Sequence, residues 1–537
     1  MILACDKPGI LDHRANIILF TAPARAYFCH FNYMRHYKKI IILLLQCVVL
    51  MAYGQQHHLK YSKAVEENIK SVENSLAGWV NIDDTSSVWN LQQRMSYYRV
   101  KGLSIAVIHH YRLAWARGYG WADQAAHRRV TPATLFQAGS VSKSVNAMGM
   151  LKLVEEKKLG LDDDINHYLK SWKFPYDSVS RGKIITLQEL LAHNAGLNVH
   201  GFPGYAADAP LPTIYQVLNG EKPAVTPTIR SLEEPGTRYR YSGGGTMITQ
   251  LMAMDVTGIP YAQYMWENVL KPLGMYRSSY AQPPLPAKQA QEAIAYIWSN
   301  GQVKGGHNIY PEQAAAGLWT NPSDLAKYII ETELAYSGKS AKVLSPAMTR
   351  SRFKIVADTA GTGLFITKKK GAIYFNHSGS DLGFKTLFYG SLKGGDGVVI
   401  MINSSENARL MYEVANSVAR VYHWPGFYAP EHRRTIKIPV DSLDRYTGSY
   451  VQGGDTLSIQ RKGSLLYYAA NFSDVDHFEV LHFLTHTRFF LYEDGPRPFD
   501  FNRDARGVIQ SLTIRLPDQP ERLFTRQAKT VDFTNRF

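Results

Sequence analysis

The sequence predicts an α/β (α+β) domain followed by a smaller all-β domain of barrel or sandwich type. Three observations carry this. The chain has 537 residues, more than one ordinary core holds, and its 45% hydrophobic and 20% charged content is that of globular protein. Strand-like and helix-like patterns mix between about 100 and 421. Beyond 424 the texture changes to short alternating strands separated by Gly/Asp turns: "DTLSIQRKGSLLYYA", "RFFLYEDG" and "DARGVIQSLTIRL".

The elements follow in order. "MRHYKKIIILLLQCVVLMAYGQQ", from Met34, has a basic start (Arg35, Lys38, Lys39), an apolar run (Ile40–Ala52) and an A-x-G ending at Gly54. That is the layout of a secretory signal, with cleavage before Gln55 and Met34 as the expected true start. The run is short for a spanning helix. A lipid-bearing Cys47 is disfavoured, because Gln46 precedes it and cleavage there splits the apolar run. The expected organisation is a signal region (1–54), a main domain (55–425), a linker (426–439) and a C-terminal barrel-like domain (440–537). The protein is then exported, to a periplasm or to the cell exterior, with no integral membrane segment after cleavage.

All three cysteines (Cys5, Cys29, Cys47) precede Gly54, so the mature chain has no disulfide, thiol nucleophile or cysteine metal site. The formal charge of +15 falls to about +11 after cleavage and speaks to surface properties rather than chemistry. No basic block with interleaved aromatics stands out, so nucleic acid is not an expected partner.

Residues 60–98 read as polar helix. "GLSIAVIHH" (102–110) and "YRLAWARGYG" (111–120) read as a hairpin, and a helix follows from about 140 to Gly160. "GLDDDINHYL" (160–169) turns into another helix, its aspartates reading as helix-start acids rather than metal ligands. "ITLQELLAHNAGL" (185–197) opens with a capping box, Thr186 with Glu189, and is expected to run to Gly196. Residues 200–237 are Gly/Pro-rich loop around one short helix. "YSGGGTMITQLMAMDVTG" (241–258) passes from a glycine turn into a helix, and Pro322, Ser323 and Asp324 open another. Four strands fill 362–403, and a helix spans 404–421.

The chemistry centres on "QAGSVSKSVNAMGM" (137–150). On a helix, Ser140 and Lys143 are i and i+3, one turn apart on one face. A serine hydroxyl is a weak nucleophile until a base takes its proton, and a lysine of lowered pKa can be that base. A helix N-terminus adds backbone N–H groups for an oxyanion. Taken alone, the pattern reads more simply as a capping serine and a solvated lysine.

Further segments change that weighting. "SVSK" after "TLFQAG", "PGTRYRYSGGG" (235–245), and "HSG" (377–379) followed by "SDLGF" occur in order. Together with "LLAHNAGL" and "AAAGLWTNPSDLA", they resemble the serine β-lactamase and penicillin-binding-protein superfamily, class C-like branch, over roughly 75–425. The resemblance implies an antiparallel sheet flanked by helices, a helical subdomain across the cleft, and an appended small β-barrel. It implies Ser140 as nucleophile, Lys143 and Tyr241 sharing the proton transfer, and His377 lining the site. The backbone N–H groups of Ser140 and Ser380 form the implied oxyanion hole, and Gly243, Ser378 and Gly379 contact substrate. A positive Lys143 is expected to lower the Tyr241 pKa. No cofactor or metal is called for.

One departure stands out. The usual Tyr-x-Asn is here Tyr241-Ser242-Gly243. Glycine lacks the amide that bonds the substrate and the lysine, and is expected to leave room for a different acyl group. The expected function is an exported serine hydrolase cleaving an amide or ester of a small molecule or peptide, cell-wall fragments among them. D-alanyl-D-alanine carboxypeptidase and β-lactamase proper are alternatives. A non-catalytic penicillin- or peptidoglycan-binding module is the rival from another class.

Overall fold

The computed structural model describes residues 61–83, 88–297, 301–405, 408–471, 479–492, 497–515 and 521–527. The expected signal region and all three cysteines lie outside them.

Seven strands form one antiparallel sheet. They are β1 (Gly102–His109), β2 (Arg112–Asp123), β3 (Arg128–Arg129), β4 (Phe365–Lys369), β5 (Ala372–Asp381), β6 (Phe384–Ser391) and β7 (Gly397–Ile402), in the spatial order β3-β2-β1-β7-β6-β5-β4. The early hairpin thus pairs with the last strand, Val399 opposite Ala106. Strands β1 and β7 are almost wholly buried, as their unbroken apolar runs require.

Helix α1 (Val141–Glu155) is buried nearly all round, within a core that continues into α2 (Gly243–Thr257) and α4 (Pro322–Tyr336). A helix apolar on every side belongs in a core. Asn146 on α1 donates to Thr249 on α2 at 3.0 Å, and Tyr261 donates to Asn146 at 2.8 Å, so the two helices are locked in register. The short α3 (Gln313–Ala316) is tied to α2 by Ala314 N donating to Gln250 Oε1 at 2.9 Å. Helix α5 (Arg409–Val421) packs on the sheet's other face, against β6 and β7, and starts five residues later than expected.

The capping box at Thr186 and Glu189 forms, but its helix stops at Leu191 rather than near Gly196. His193 follows with φ +56°. A non-glycine residue there turns the chain back towards the core, which ends the helix early.

The C-terminal segment is a closed eight-stranded antiparallel barrel: β8 (Gly448–Gln452), β9 (Asp455–Lys462), β10 (Leu465–Ala470), β11 (Glu479–Phe483), β12 (Arg488–Leu491), β13 (Pro498–Arg503), β14 (Ile509–Ile514) and β15 (Arg522–Arg526). Its own core includes Tyr450, Phe489, Phe501 and Phe524, so its interior is packed with side chains. Residues 63–537 form one compact unit. Arg409, the first residue of α5, reaches Glu479 at the start of β11 at 2.7 Å.

Candidate active site

Ser140 occupies the N-cap position of α1, but its side chain makes no capping bond. The hydroxyl instead lies 2.9 Å from Lys143 Nζ, which also donates to the Ala315 carbonyl of α3 at 2.7 Å. The simpler reading of a capping serine beside a solvated lysine therefore fails at both residues. Lys143 is 4% exposed. Burial, partly opposed by Asp381, brings its pKa from 10.5 down to about 7. Ser142 is structural: its Oγ accepts from Leu318 N at 3.0 Å.

Tyr241 sits just ahead of α2, its ring centroid 5.2 Å from Lys143 Nζ. Burial raises its pKa, against a smaller opposite pull from the Ser140 hydroxyl. This corrects the expectation that Lys143 lowers it. Desolvation disfavours the phenolate, and a lysine of pKa about 7 is a half-time cation at neutral pH. Two histidines flank the phenol, His193 at 4.1 Å and His200 at 4.8 Å between ring centroids. His193 Nδ1 accepts from Ser242 N at 3.2 Å and its carbonyl from Arg240 N at 2.7 Å, so His193, strained at a positive φ, anchors the turn carrying Tyr241.

His377 lies farther off, 6.4 Å from the Tyr241 ring and 5.1 Å from that of Phe365. Its Nδ1 is 2.6 Å from the Ser378 carbonyl, which can only accept. The proton is therefore on Nδ1, and Nε2 is a bare acceptor. Burial, aided by Lys143, takes its pKa down to about 4.

Strand β5 approaches Ser140 so closely that side chains do not fit. A Cβ on Gly379 would lie 2.0 Å from the Ala138 carbonyl and 2.9 Å from Ser140 N. Gly139, at φ +52°, would place one 2.5 Å from Ser380 N. These two glycines let the Ser140 and Ser380 backbones meet at one end of a cavity of about 590 Å³. Ser140, Lys143, Tyr241, His377, Ser378, Gly379 and Ser380 all line that cavity.

Gly243 does not. A Cβ there would lie 3.0 Å from Phe202 Cε2 and 3.1 Å from the His200 carbonyl. The room expected for a different acyl group is filled by segment 200–202, which corrects both that expectation and the placing of Gly243 against substrate.

Among the cavity residues that the sequence did not single out are His200, Phe202, Asp381 and Lys385. His200 and Phe202 come from a loop that carried no motif. Asp381 is buried, with Oδ2 lacking any hydrogen-bond partner, and burial raises its pKa far above the usual range. Lys385, opposite Ser380 on β6, is 9% exposed and in no ion pair among the described residues. A charged residue inside an otherwise apolar strand, as in "FKTLFYG", is the one signal that could have found it. The aspartates at 162–164 serve local structure: Asp164 caps the next helix, accepting from Asn166 N at 2.9 Å.

The profile of the Beta-lactamase family matches residues 90–421. The chain belongs to the Beta-lactamase family. Among its relatives is the Bacillus subtilis (strain 168) protein named "Putative penicillin-binding protein PbpX", 27% identical over 375 residues, which are 67% of this chain and 81% of that one. The octameric penicillin-binding protein homologue from Pyrococcus abyssi shares the fold at TM-score 0.57 and 22% identity, over 81% of this chain and 98% of that one. So does the D-amino acid amidase from Ochrobactrum anthropi SV3, at 0.51 and 18%, over 67% and 98%. The family supports a serine hydrolase, and the two solved structures show the shared fold.

Proposed function

We propose that the protein is a class C-like serine hydrolase that cleaves an amide or ester through an acyl-enzyme on Ser140. The observation that carries this is the 2.9 Å contact between Ser140 Oγ and a buried Lys143 of pKa about 7, with the serine free of any capping role. The neutral amine gives one N–H to the Ala315 carbonyl and turns its lone pair to the Ser140 hydroxyl. Lys143 takes the hydroxyl proton as Oγ adds to the substrate carbonyl. The oxyanion is held by the backbone N–H groups of Ser140 and Ser380. The lysine proton, relayed by the Tyr241 phenol, goes to the departing amine or alkoxide as the tetrahedral adduct collapses. Water then adds to the acyl-enzyme carbonyl, giving its proton to Lys143, and Ser140 leaves with a proton returned from it.

A cavity of about 590 Å³ fits a small molecule or the end of a peptide, cell-wall fragments among them. Its charge favours an acidic substrate. Burial holds Asp381, His377 and His193 towards their neutral forms, while the Lys385 cation has no described counter-ion. Export by the segment from Met34 belongs to this reading.

The test is intact-mass analysis of the chain from Gln55, and of its Ser140→Ala variant, after a fluorophosphonate and, separately, a penicillin. One adduct absent from the variant supports the reading. A persistent penicilloyl adduct points to a penicillin-binding carboxypeptidase, and penicillin consumed without one points to a β-lactamase. Folded protein that gains no adduct from either reagent refutes the acyl-enzyme and leaves the binding module.

A further inference from the structure

The segment that fills the space at Gly243 is pinned there. Gly243 N donates to the His200 carbonyl and Gly244 N to the Val199 carbonyl, both at 3.0 Å. Ser242 Oγ donates to the Asn198 carbonyl at 2.6 Å. Three consecutive residues at the start of α2 thus bond three consecutive carbonyls of 198–200. A Cβ at 243 would press on Phe202 at 3.0 Å and on the His200 carbonyl at 3.1 Å, so the loop would have to give by a few tenths of an ångström. Loop and glycine are one fitted arrangement. Its consequence is that the His200 side chain, exposed to the cleft, lines the cavity beside Tyr241.

We propose that His200 binds substrate in place of the amide side chain absent at Gly243, its imidazole N–H donating to a carbonyl oxygen on the acyl side of the scissile bond. This rests on the acyl-enzyme reading above. No described residue hydrogen-bonds the His200 imidazole, so its polar capacity is open to a ligand. A neutral imidazole carries one donor and one acceptor, the two functions of an amide. The titratable groups around it are Tyr241 against its ring, Lys143 of α1, His193 on the far side of that phenol, and His377 of β5. Burial and Lys143 both lower its pKa, which keeps the ring neutral at neutral pH.

Two esters test this: p-nitrophenyl acetate, and the p-nitrophenyl ester of N-acetylalanine in both enantiomers. Only the second carries an additional acyl-side carbonyl. His200→Phe keeps the ring shape without hydrogen bonds, whereas His200→Asn restores an amide. Circular dichroism and fluorophosphonate labelling of Ser140 confirm folding. His200→Phe is expected to lower kcat/KM about tenfold to a hundredfold on one enantiomer of the N-acetylalanyl ester, as loss of a hydrogen bond to a buried carbonyl does, and less than about threefold on the acetate. His200→Asn is expected to recover most of the loss. Equal losses on both esters, no loss in His200→Phe, or a wild type that turns over only the acetate would overturn the proposal while leaving the acyl-enzyme intact. A wild type inert to every ester and unlabelled at Ser140 would sink the acyl-enzyme reading itself, before any His200 variant is compared.

Discussion

The rate of acylation should follow the deprotonation of Lys143. Moving its pKa from 10.5 to about 7 represents ~5 kcal/mol against the ammonium form. The cause is structural: a 4% exposed amine on a helix buried on all sides, with one carbonyl acceptor. At pH 7 about half the molecules then hold a free amine, against roughly one in three thousand for an unshifted lysine. The assay is kcat/KM for p-nitrophenyl acetate from pH 5 to 9. It should climb tenfold per pH unit below about 7, reaching about 1% of its plateau at pH 5, and level off above. Glu312 is a second group with a pKa of about 7, raised by burial, so Glu312→Gln is the necessary control and should leave the limb in place. Lys143→Arg, whose guanidinium keeps its charge, should abolish the limb along with the rate. A profile that is flat from 5 to 9, or a limb that moves with Glu312→Gln, would refute Lys143 as the base. A rate still climbing tenfold per unit at pH 9 would refute a base of pKa about 7.

Three further outcomes follow from packing and charge. Gly379→Ala places a Cβ 2.0 Å from the Ala138 carbonyl, so Ser140 labelling by a fluorophosphonate should slow at least about tenfold with ~1–3 kcal/mol of stability lost, read by stopped labelling and urea melts. Glu312 is fully buried, and burial outweighs its own backbone N–H and the Tyr205 hydroxyl in setting its pKa. Its folded pKa of about 7 exceeds the ordinary 4.5, so folding binds the extra proton, and stability falls as pH rises from 4.5 through 7. Glu312→Gln should therefore match wild type in melting near pH 4.5 and exceed it by up to ~3 kcal/mol at pH 8. Glu479→Ala strips the carboxylate from Arg409 at the head of α5, whose Met411 and Tyr412 line the cavity. Losing this charge-assisted hydrogen bond should cost ~1.5–3 kcal/mol, and KM should rise as the cavity wall loosens, in steady-state kinetics on the same ester.

Why some of this was legible in the sequence and some was not follows from the range of each interaction. The Ser140–Lys143 pair is one helical turn, so its spacing alone makes the contact possible, and the Thr186–Glu189 box is as local. The β-hairpin at 102–123 and the barrel strands are likewise written in alternation and turns over a few residues. The order of the sheet is not: β7 lies beside β1 across nearly three hundred residues, and only the family resemblance anticipated an antiparallel sheet there. Electrostatic signs are less local still. That a lysine beside Tyr241 lowers its pKa holds only if the lysine is charged, and burial, which no spacing reveals, leaves it half neutral.

Gly243 is the sharpest case, because the sequence showed the change and concealed its meaning. Read along the chain, an asparagine position holding glycine is a loss of one amide and a gain of space. In three dimensions there is no gain. Residues 198–202, some forty positions earlier, bond the first turn of α2 and push Phe202 against the glycine. The missing side chain and the intruding loop are one substitution made at two places. An asparagine Cβ would meet a packed ring at 3.0 Å and a hydrogen-bonded backbone carbonyl at 3.1 Å, so the loop would have to give by a few tenths of an ångström to admit it. Gly243→Asn should thus impair Ser140 labelling rather than restore any binding, whereas Gly243→Asn with Phe202→Ala should recover part of it. If the single variant labels as fast as wild type, the loop is not held against the glycine and the case for His200 weakens with it.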